Sequence, residues 1–304
     1  MPPGMPAPVA DMEKVAVAFP ATDAIQLDGR LEEKAWLNAE WHTGFLRHHD
    51  QAATTPVQAQ FAFLYDDQAL YLGFATAEGG KDAAKIQATA PGEWPKDDPV
   101  EWFLDPGATR DVYYQFAANL IGGTYEALRE DAQWNCDWKA AGNAEANRWT
   151  LEVRIPFKAF NRGAPKPGEL WGMNICRNGN FMGPWAPVGP RYHSPGGFAL
   201  LTFGTYNQWW KDGIMPSQAQ RLQELRATLE KGLSSDSSLV TQMQMVEEGS
   251  KSLQGRMAGN GDKTISREMF LELFHGADKI RILMDNVARE CVWLQAMNRG
   301  MVAK

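Results

Sequence analysis

Polar and apolar residues alternate along most of the first two hundred positions, as they do in strands that bury one face. In 149–155, for example, tryptophan, leucine, valine and isoleucine alternate with threonine, glutamate and arginine. Short segments of this kind recur about every ten residues, separated by turn residues and with little helix between them. They predict a mainly β fold, an antiparallel, jelly-roll-like β-sandwich. The predicted strands are 57–65, 70–74, 100–105, 113–120, 124–126, 149–155, 170–177 and 198–203.

After Gly204 the apolar spacing changes to steps of three and four residues. Leu222, Leu225 and Leu229 follow this spacing, as do Ile280 and later residues up to Leu294, so the pattern predicts amphipathic helices. Glycine and serine in 232–235 and glycines in 255–261 mark the breaks. We expect three or four helices in a hairpin or small bundle, which bury their stripes or use one for self-association.

A chain of 304 residues is longer than most single domains, so two domains are expected. We predict a flexible leader over 1–11, a β-sandwich domain over 12–205 and a small α-helical region over 206–304. The leader has no basic patch followed by an apolar stretch, which is not the pattern of a signal peptide. No run of about eighteen apolar residues occurs, so a membrane span is not expected.

The net charge of each predicted domain indicates which classes of partner it could bind. Residues 1–205 hold 17 Lys and Arg against 25 Asp and Glu, a net charge of −8, whereas the remainder holds 13 against 12, or +1. An acidic domain without a basic stripe argues against binding to nucleic acid or to anionic membranes. The three cysteines, Cys136, Cys176 and Cys291, are too few for a metal cluster. Either a Cys136–Cys176 bridge or buried free thiols fits the sequence.

Several fragments resemble, in order and spacing, the family 9 carbohydrate-binding modules and related sugar-binding domains. They cover about residues 12–205 and are Ile25-Gln-Leu-Asp-Gly29 with Ala35-Trp36, Trp94 with Asp98-Pro-Val-Glu101, Trp149-Thr-Leu-Glu152 with Ile155-Pro156-Phe157, Trp185-Ala-Pro187, His193-Ser-Pro195 and Phe198. The resemblance implies a β-sandwich that holds sugar between tryptophans and performs no chemistry. It also implies a location outside the cytoplasm, whether extracellular, at the cell surface or periplasmic, and association with polysaccharide breakdown by a partner or parent enzyme.

Tryptophan is the side chain best suited to a sugar site, because a large rigid ring accepts the flat C–H face of a pyranose. Nine of the twelve tryptophans precede residue 205, and Trp36, Trp149 and Trp171 are expected in the core. Trp94 and Trp185 instead lie in proline-rich segments that predict loops, where binding residues concentrate. By the resemblance, these two residues are the walls of an aromatic sandwich.

Polar residues should then meet the sugar hydroxyls. The resemblance makes Glu101 a hydrogen-bond acceptor and places Asp98 in the same loop, where it binds ligand or caps a turn. The chain departs from the family pattern in two places. Trp94 and Glu101 are seven residues apart rather than six, and Ala117 stands where glucose-binding members have arginine. Arg177 either replaces that arginine or pairs with a carboxylate.

The sequence names no certain cofactor. The resemblance allows for structural calcium in the sandwich, with Asp66, Asp67 and Asp105 as candidate oxygens. Residues 258–270 resemble an EF-hand loop, but Ala258 and Met269 stand at its two essential ligand positions, so we expect a helix-opening turn capped by Thr264 or Ser266.

Two other functions fit parts of the pattern. The chain could be a structural or protein-docking module of an extracellular assembly, or a haem-binding sandwich with Met173, Met182 or His193 as axial ligands. An enzyme is less favoured, because no pair of carboxylates is set apart by its spacing and no nucleophile elbow, phosphate loop or zinc-binding helix motif occurs.

Overall fold

The computed structural model describes residues 14–76, 92–96, 98–145, 148–179, 182–231, 236–261 and 263–302, the last five by their backbone alone. The chain divides into two compact units, Met1–Thr205 and Tyr206–Lys304. The first is built from strands and the second from helices.

The first unit is one sheet of eleven strands. In chain order they are β1 Val15–Pro20, β2 Ala59–Tyr65, β3 Ala69–Thr76, β4 Val100–Pro106, β5 Tyr114–Ala118, β6 Thr124–Leu128, β7 Lys139–Glu145, β8 Arg148–Pro156, β9 Leu170–Arg177, β10 Gly183–Pro184 and β11 Ala199–Phe203. A short helix, α1, spans Lys34–Asn38, and two 3₁₀ helices span Phe157–Phe160 and Pro195–Gly197. The mainly β fold is confirmed, and every strand predicted from alternation is present.

The sheet is mixed rather than strictly antiparallel, which corrects one part of the prediction. Its strand order is β6-β5-β4-β9-β11-β1-β2-β3-β8-β7, with β10 paired to β9. β1 lies in the middle and runs parallel to both β11 and β2. The other strand pairs are antiparallel. A central strand is buried on both faces, so β1 shows little of the alternation that revealed the others.

The core lies between the two halves of this sheet. Trp102 and Phe116 come from the β4–β5 half, and Phe61, Phe74 and Leu151 come from the β2–β3–β8 half; all five are fully buried in one apolar cluster. Burying aromatic side chains of this size supplies much of the hydrophobic stabilisation of a domain. The prediction that Trp36, Trp149 and Trp171 are buried is also confirmed.

A buried carboxylate on β8 organises the turn that contains Leu27-Asp28-Gly29. Glu152 Oε2 accepts hydrogen bonds from the backbone N–H groups of Asp28 and Gly29, at 3.0 and 2.8 Å, and Oε1 accepts one from Trp36 Nε1 at 2.8 Å. Gly29 has φ +82°, and a Cβ there would lie 2.6 Å from the backbone of Gly142. The Asp-Gly and Trp positions are therefore explained by packing on Glu152.

The second unit contains the predicted helical region. Its helices are α2 Tyr206–Gln208, α3 Met215–Glu230, α4 Ser237–Asn260 and α5 Arg267–Val302, with a π-helical turn over Trp209–Ile214. α5 packs against both α3 and α4. Its buried stripe includes Ile280, Met284, Val287 and Cys291. Within the described ranges, no helix is long and apolar enough to cross a membrane.

The EF-hand-like segment opens α5. Ser266 caps this helix, since its Oγ accepts a hydrogen bond from Met269 N at 3.3 Å. Ser266 rather than Thr264 is thus the cap.

Of the two alternatives for the cysteines, a Cys136–Cys176 bridge or free thiols, the structure shows free thiols at Cys136, Cys176 and Cys291.

Candidate binding cleft

The register of β4, β5 and β6 places a row of polar and aromatic side chains on the sheet face that points away from the core. Glu101 on β4 lies opposite Ala117 on β5, which in turn lies opposite Tyr125 on β6. Gln115, two residues before Ala117, shares this face. Directly paired residues and their i±2 neighbours point the same way, so these side chains form a continuous surface.

An open cleft with a volume of about 520 Å³ lies over this surface. Trp94 and the strand residues Glu101, Gln115 and Tyr125 line one part of the cleft, and residues 190–193, from the segment before β11, line another part, the far wall. The lining residues are His48, Trp94, Glu101, Gln115, Tyr125, Glu130, Pro190, Arg191, Tyr192 and His193. Polar groups and aromatic rings therefore line the cleft together, which suits a small ligand that is itself polar.

Glu101 is a buried carboxyl group of the cleft, with only 3% of its surface exposed. Its Oε1 accepts a hydrogen bond from Gln115 Nε2 at 2.6 Å, and its Oε2 accepts one from Asn178 Nδ2 at 3.3 Å. Burial raises the pKa of this carboxyl from 4.5 to about 7, and the two amide donors act in the opposite direction. Glu101 can therefore change protonation near neutral pH.

Trp94 provides exposed aromatic surface on one side of the cleft. Its side chain is 39% exposed, and its ring lies edge-on to that of Tyr125, with centroids 5.3 Å apart and planes at 62°. Asp98, in the same segment, has φ +55°. Its side chain packs on Gly179 so closely that a Cβ added to this glycine would lie 1.4 Å from Asp98 Oδ1. Asp98 lies beside the cleft as part of the loop packing and does not line it.

Trp185 lies in the core, so the prediction that it is an exposed loop side chain is corrected. Only 1% of its surface is exposed. Its Nε1 donates a hydrogen bond to Thr43 O at 2.9 Å, and its ring packs edge-on against Phe61 at 4.9 Å. The two residues before it form β10, the backbone after it forms a loop, and the indole points inward. A buried indole cannot form a wall of the open cleft.

Arg177 is on the opposite face of the sheet from Glu101. It pairs with Val100, a core residue, whereas Glu101 pairs with the adjacent Cys176. The guanidinium is largely buried and donates a hydrogen bond to Val57 O at 3.0 Å. Register therefore separates Arg177 from the cleft and corrects the expectation that it replaces the arginine of glucose-binding relatives.

Apart from His193, which the sequence offered as a haem ligand, the far wall and its neighbours are residues that the sequence pattern did not single out as ligand contacts. The His48 and Tyr192 rings lie edge-to-face with centroids 5.0 Å apart. Burial, and to a lesser degree the charge of His49, lower the pKa of His48. Glu130 and Arg191 approach to 3.9 Å at the exposed rim. The fragment His193-Ser-Pro195 was the one signal in the sequence for this wall, because the other residues come together through tertiary packing.

Asp66, Asp105 and Met173, which were candidate calcium and haem ligands, have other roles, whereas His193 lines the cleft. Asp66 accepts hydrogen bonds from two turn N–H groups and from Tyr71 Oη, and Asp105 accepts from Thr109 and Arg110, so both carboxylates cap turns. Met173 is fully buried in the core. Among the residues with described positions, no group of three or more His, Cys, Asp or Glu side chains could hold a metal ion.

Comparison with known proteins supplies the family. The model of the carbohydrate family 9 binding domain-like family matches residues 27–183, just over half of the chain. The chain belongs to this family. The match includes the Asp28-Gly29 turn, Glu152 and the cleft strands, whereas the cleft residues 190–193 lie just beyond it. No curated protein matches the chain.

Solved structures of family 9 modules are also similar to the chain. Two are modules from Caldicellulosiruptor kristjanssonii, in complex with cellotriose and with glucose, each 17% identical, with TM-scores of 0.47 and 0.46. They cover 63% and 62% of this chain and 94% and 95% of their own. The structure of a protein from Bacteroides uniformis also has 17% identity and a TM-score of 0.46, and covers 62% of this chain and 99% of its own.

Proposed function

We propose that the chain binds carbohydrate non-catalytically, in the cleft between Trp94 and His193. The observation that carries this proposal is an exposed indole beside a buried carboxylate on a rigid sheet. The Trp94 ring offers a flat apolar surface for the C–H face of a sugar. Glu101 offers the adjacent acceptor for its hydroxyl groups.

Glu101 fits the role of a hydroxyl acceptor because its position is fixed on both sides. Gln115 and Asn178 each donate to one carboxylate oxygen, which leaves further lone pairs for ligand hydroxyls. Hydrogen bonds to an ionised carboxylate are stronger than those between neutral groups. The aromatic face then supplies general affinity, and Glu101 selects among sugars by the direction of their hydroxyls.

The proposal differs from the aromatic sandwich implied by resemblance. Trp94 remains one wall, Trp185 is excluded by burial, and the opposite side is formed by Tyr192 and His193. Asp98 supports the loop that carries Trp94. We assign no chemical step to the cleft, and we propose that the chain serves polysaccharide binding or breakdown by a partner or parent enzyme outside the cytoplasm, with the helical unit available for self-association or docking.

Calorimetric titration of the full chain with glucose and with cellotriose tests the proposal. These sugars are chosen because they are the ligands of the two solved family 9 structures. Binding should be detected and should be lost in Trp94→Ala. Trp293→Ala is the matched control, since this exposed tryptophan lies on α5 in the other unit. Equal binding by Trp94→Ala and wild type would contradict the assignment of the cleft.

A further inference from the structure

A tyrosine behind the far wall fixes one nitrogen of a cleft histidine. Tyr113 Oη lies 2.9 Å from His193 Nδ1, and both rings pack against Phe103. Tyr113 is buried, with 5% of its surface exposed, and His193 lines the cleft. The pair thus connects the packed layer under the cleft to the cleft surface.

The direction of this hydrogen bond follows from the tyrosine hydroxyl. A buried O–H group that does not donate leaves its proton without a partner, which is unfavourable. Within the described part of the chain, the acceptor within reach of Tyr113 Oη is Nδ1. The hydroxyl therefore donates to Nδ1, and the neutral imidazole must carry its own proton on Nε2.

The imidazole ring of His193 is uncharged at neutral pH, because its pKa is lowered from the ordinary 6.5. Burial is the main cause that lowers the pKa of His193, and the Arg191 charge lowers it further, while Glu130 acts in the opposite direction. Nε2 has no hydrogen-bond partner among the residues whose positions are described. It lies on the opposite side of the ring from the Nδ1 atom that faces Tyr113.

We infer that His193 is the hydrogen-bond donor of the cleft and presents Nε2–H to a hydroxyl oxygen of the bound sugar. This inference rests on the proposed function. It gives the two polar side chains of the cleft complementary hydrogen-bonding roles: Glu101 accepts from one ligand hydroxyl, and His193 donates to another. The favoured ligand is thus a neutral polyol ring with at least two hydroxyl groups in reach, and Tyr113 is the positioning residue that selects the imidazole tautomer.

His193→Phe tests the donor, because it keeps an aromatic ring against Phe103 and Tyr113 but has no N–H group. A neutral hydrogen bond contributes about 0.5–1.5 kcal/mol, so glucose affinity should fall about two- to tenfold. Monodeoxy glucose analogues sharpen the test. Removal of the hydroxyl that meets His193 should weaken binding to the wild type and have little further effect on His193→Phe.

Nitrogen NMR of the free protein gives a readout that does not depend on ligand. The wild-type imidazole should carry its proton on Nε2, and Tyr113→Phe should give a mixture of tautomers and weaker glucose binding. A wild-type proton on Nδ1, or equal affinity and equal deoxy-analogue profiles in His193→Phe and wild type, would overturn the inference. If the wild type binds neither glucose nor cellotriose, the proposed function itself fails.

Discussion

At the scale of single residues, exposure separates two tryptophans that have similar sequence surroundings. Trp94 and Trp185 both lie near proline and glycine, Trp94 in a loop and Trp185 directly after the two-residue strand β10. Trp94 is 39% exposed at the cleft, whereas Trp185 is 1% exposed and packs on Phe61. Local composition predicts a loop backbone, but the direction of a side chain is decided by distant residues such as Thr43.

This difference gives a prediction about stability. Trp185→Ala should lower the free energy of unfolding by about 3–5 kcal/mol, because it removes a large side chain from a packed core. Trp94→Ala, the matched substitution at an exposed position, should change it by less than about 1 kcal/mol. Urea unfolding of both variants measures the difference. Similar midpoints and slopes for the two variants would place Trp185 outside the core.

Glu101 gives a second prediction, concerning pH. Its pKa is raised to about 7 in the folded chain from an ordinary 4.5, so the folded state binds this proton more tightly than the unfolded state. The resulting stability is fully present below about pH 4.5 and is lost as pH rises through about 7. The loss amounts to up to about 3 kcal/mol for the wild type.

Glu101→Gln is the suitable variant, because an amide keeps the shape of the side chain but does not titrate. The difference in unfolding free energy between wild type and Glu101→Gln should therefore decrease with rising pH across this range. Glu152, whose pKa burial also raises to about 7, titrates in both proteins and cancels in the difference. A difference that does not vary with pH contradicts the assignment.

At the scale of elements, alternation found strands with large apolar residues at every second position, and it missed β1 and β7, in which polar and apolar residues do not alternate. β4, β5 and β8 were predicted because their apolar residues fall on every second position. β1 lies between two parallel neighbours and is largely buried, so its sequence lacks this signal. β7, with the sequence Lys-Ala-Ala-Gly-Asn-Ala-Glu, has no large apolar residue. Neither strand can be found without knowledge of its partners.

The cleft was predictable to a similar extent. Trp94 and Glu101 came from motifs within one segment, and the structure places both on the cleft. Arg177 was misplaced because a shift of one residue moves a side chain to the other face of the sheet, and register is set by pairing with β4. Tyr192 and His193 are neighbours in sequence, but they reach the cleft from a different segment than Tyr125 on β6, so no local pattern marks the three residues as one site.

Glu152 connects three elements and gives a third prediction. Glu152→Ala leaves the N–H groups of Asp28, Gly29 and Trp36 without their acceptor, and each unpaired buried donor costs about 1–3 kcal/mol. We expect the unfolding free energy to fall by about 3 kcal/mol or more. Glu145→Ala is the control, because Glu145 is an exposed residue paired with Arg148 at the edge of the sheet and should change stability by less than about 1 kcal/mol. Equal losses for the two variants would show that the Glu152 contacts are dispensable.

At the scale of the whole molecule, the two units use different sources of stability. The first depends on long-range strand pairing, including the contact of β1 near the start of the chain with β11 near residue 200. The second depends on three long helices that are neighbours in sequence. Such local contacts form at a smaller cost in loop entropy than pairing across the whole sheet. Each unit has a core of its own, which is the condition for independent folding.

The last prediction follows from these separate cores. A chain ending at Thr205 should fold and keep its affinity for sugar. The last strand in sequence, β11, ends at Phe203, and every residue that lines the cleft precedes that strand. Trp209 and Trp210 lie just beyond the cut and are buried, but Trp209 packs on Phe270 and Phe274 of α5, with ring centroids 4.9 and 5.9 Å apart. Thermal unfolding and glucose titration of the shortened chain, beside the full chain, provide the measurement. An insoluble product, or a soluble one that has lost sugar binding, would mean that the two units fold as one cooperative structure and that Thr205 is not a domain boundary.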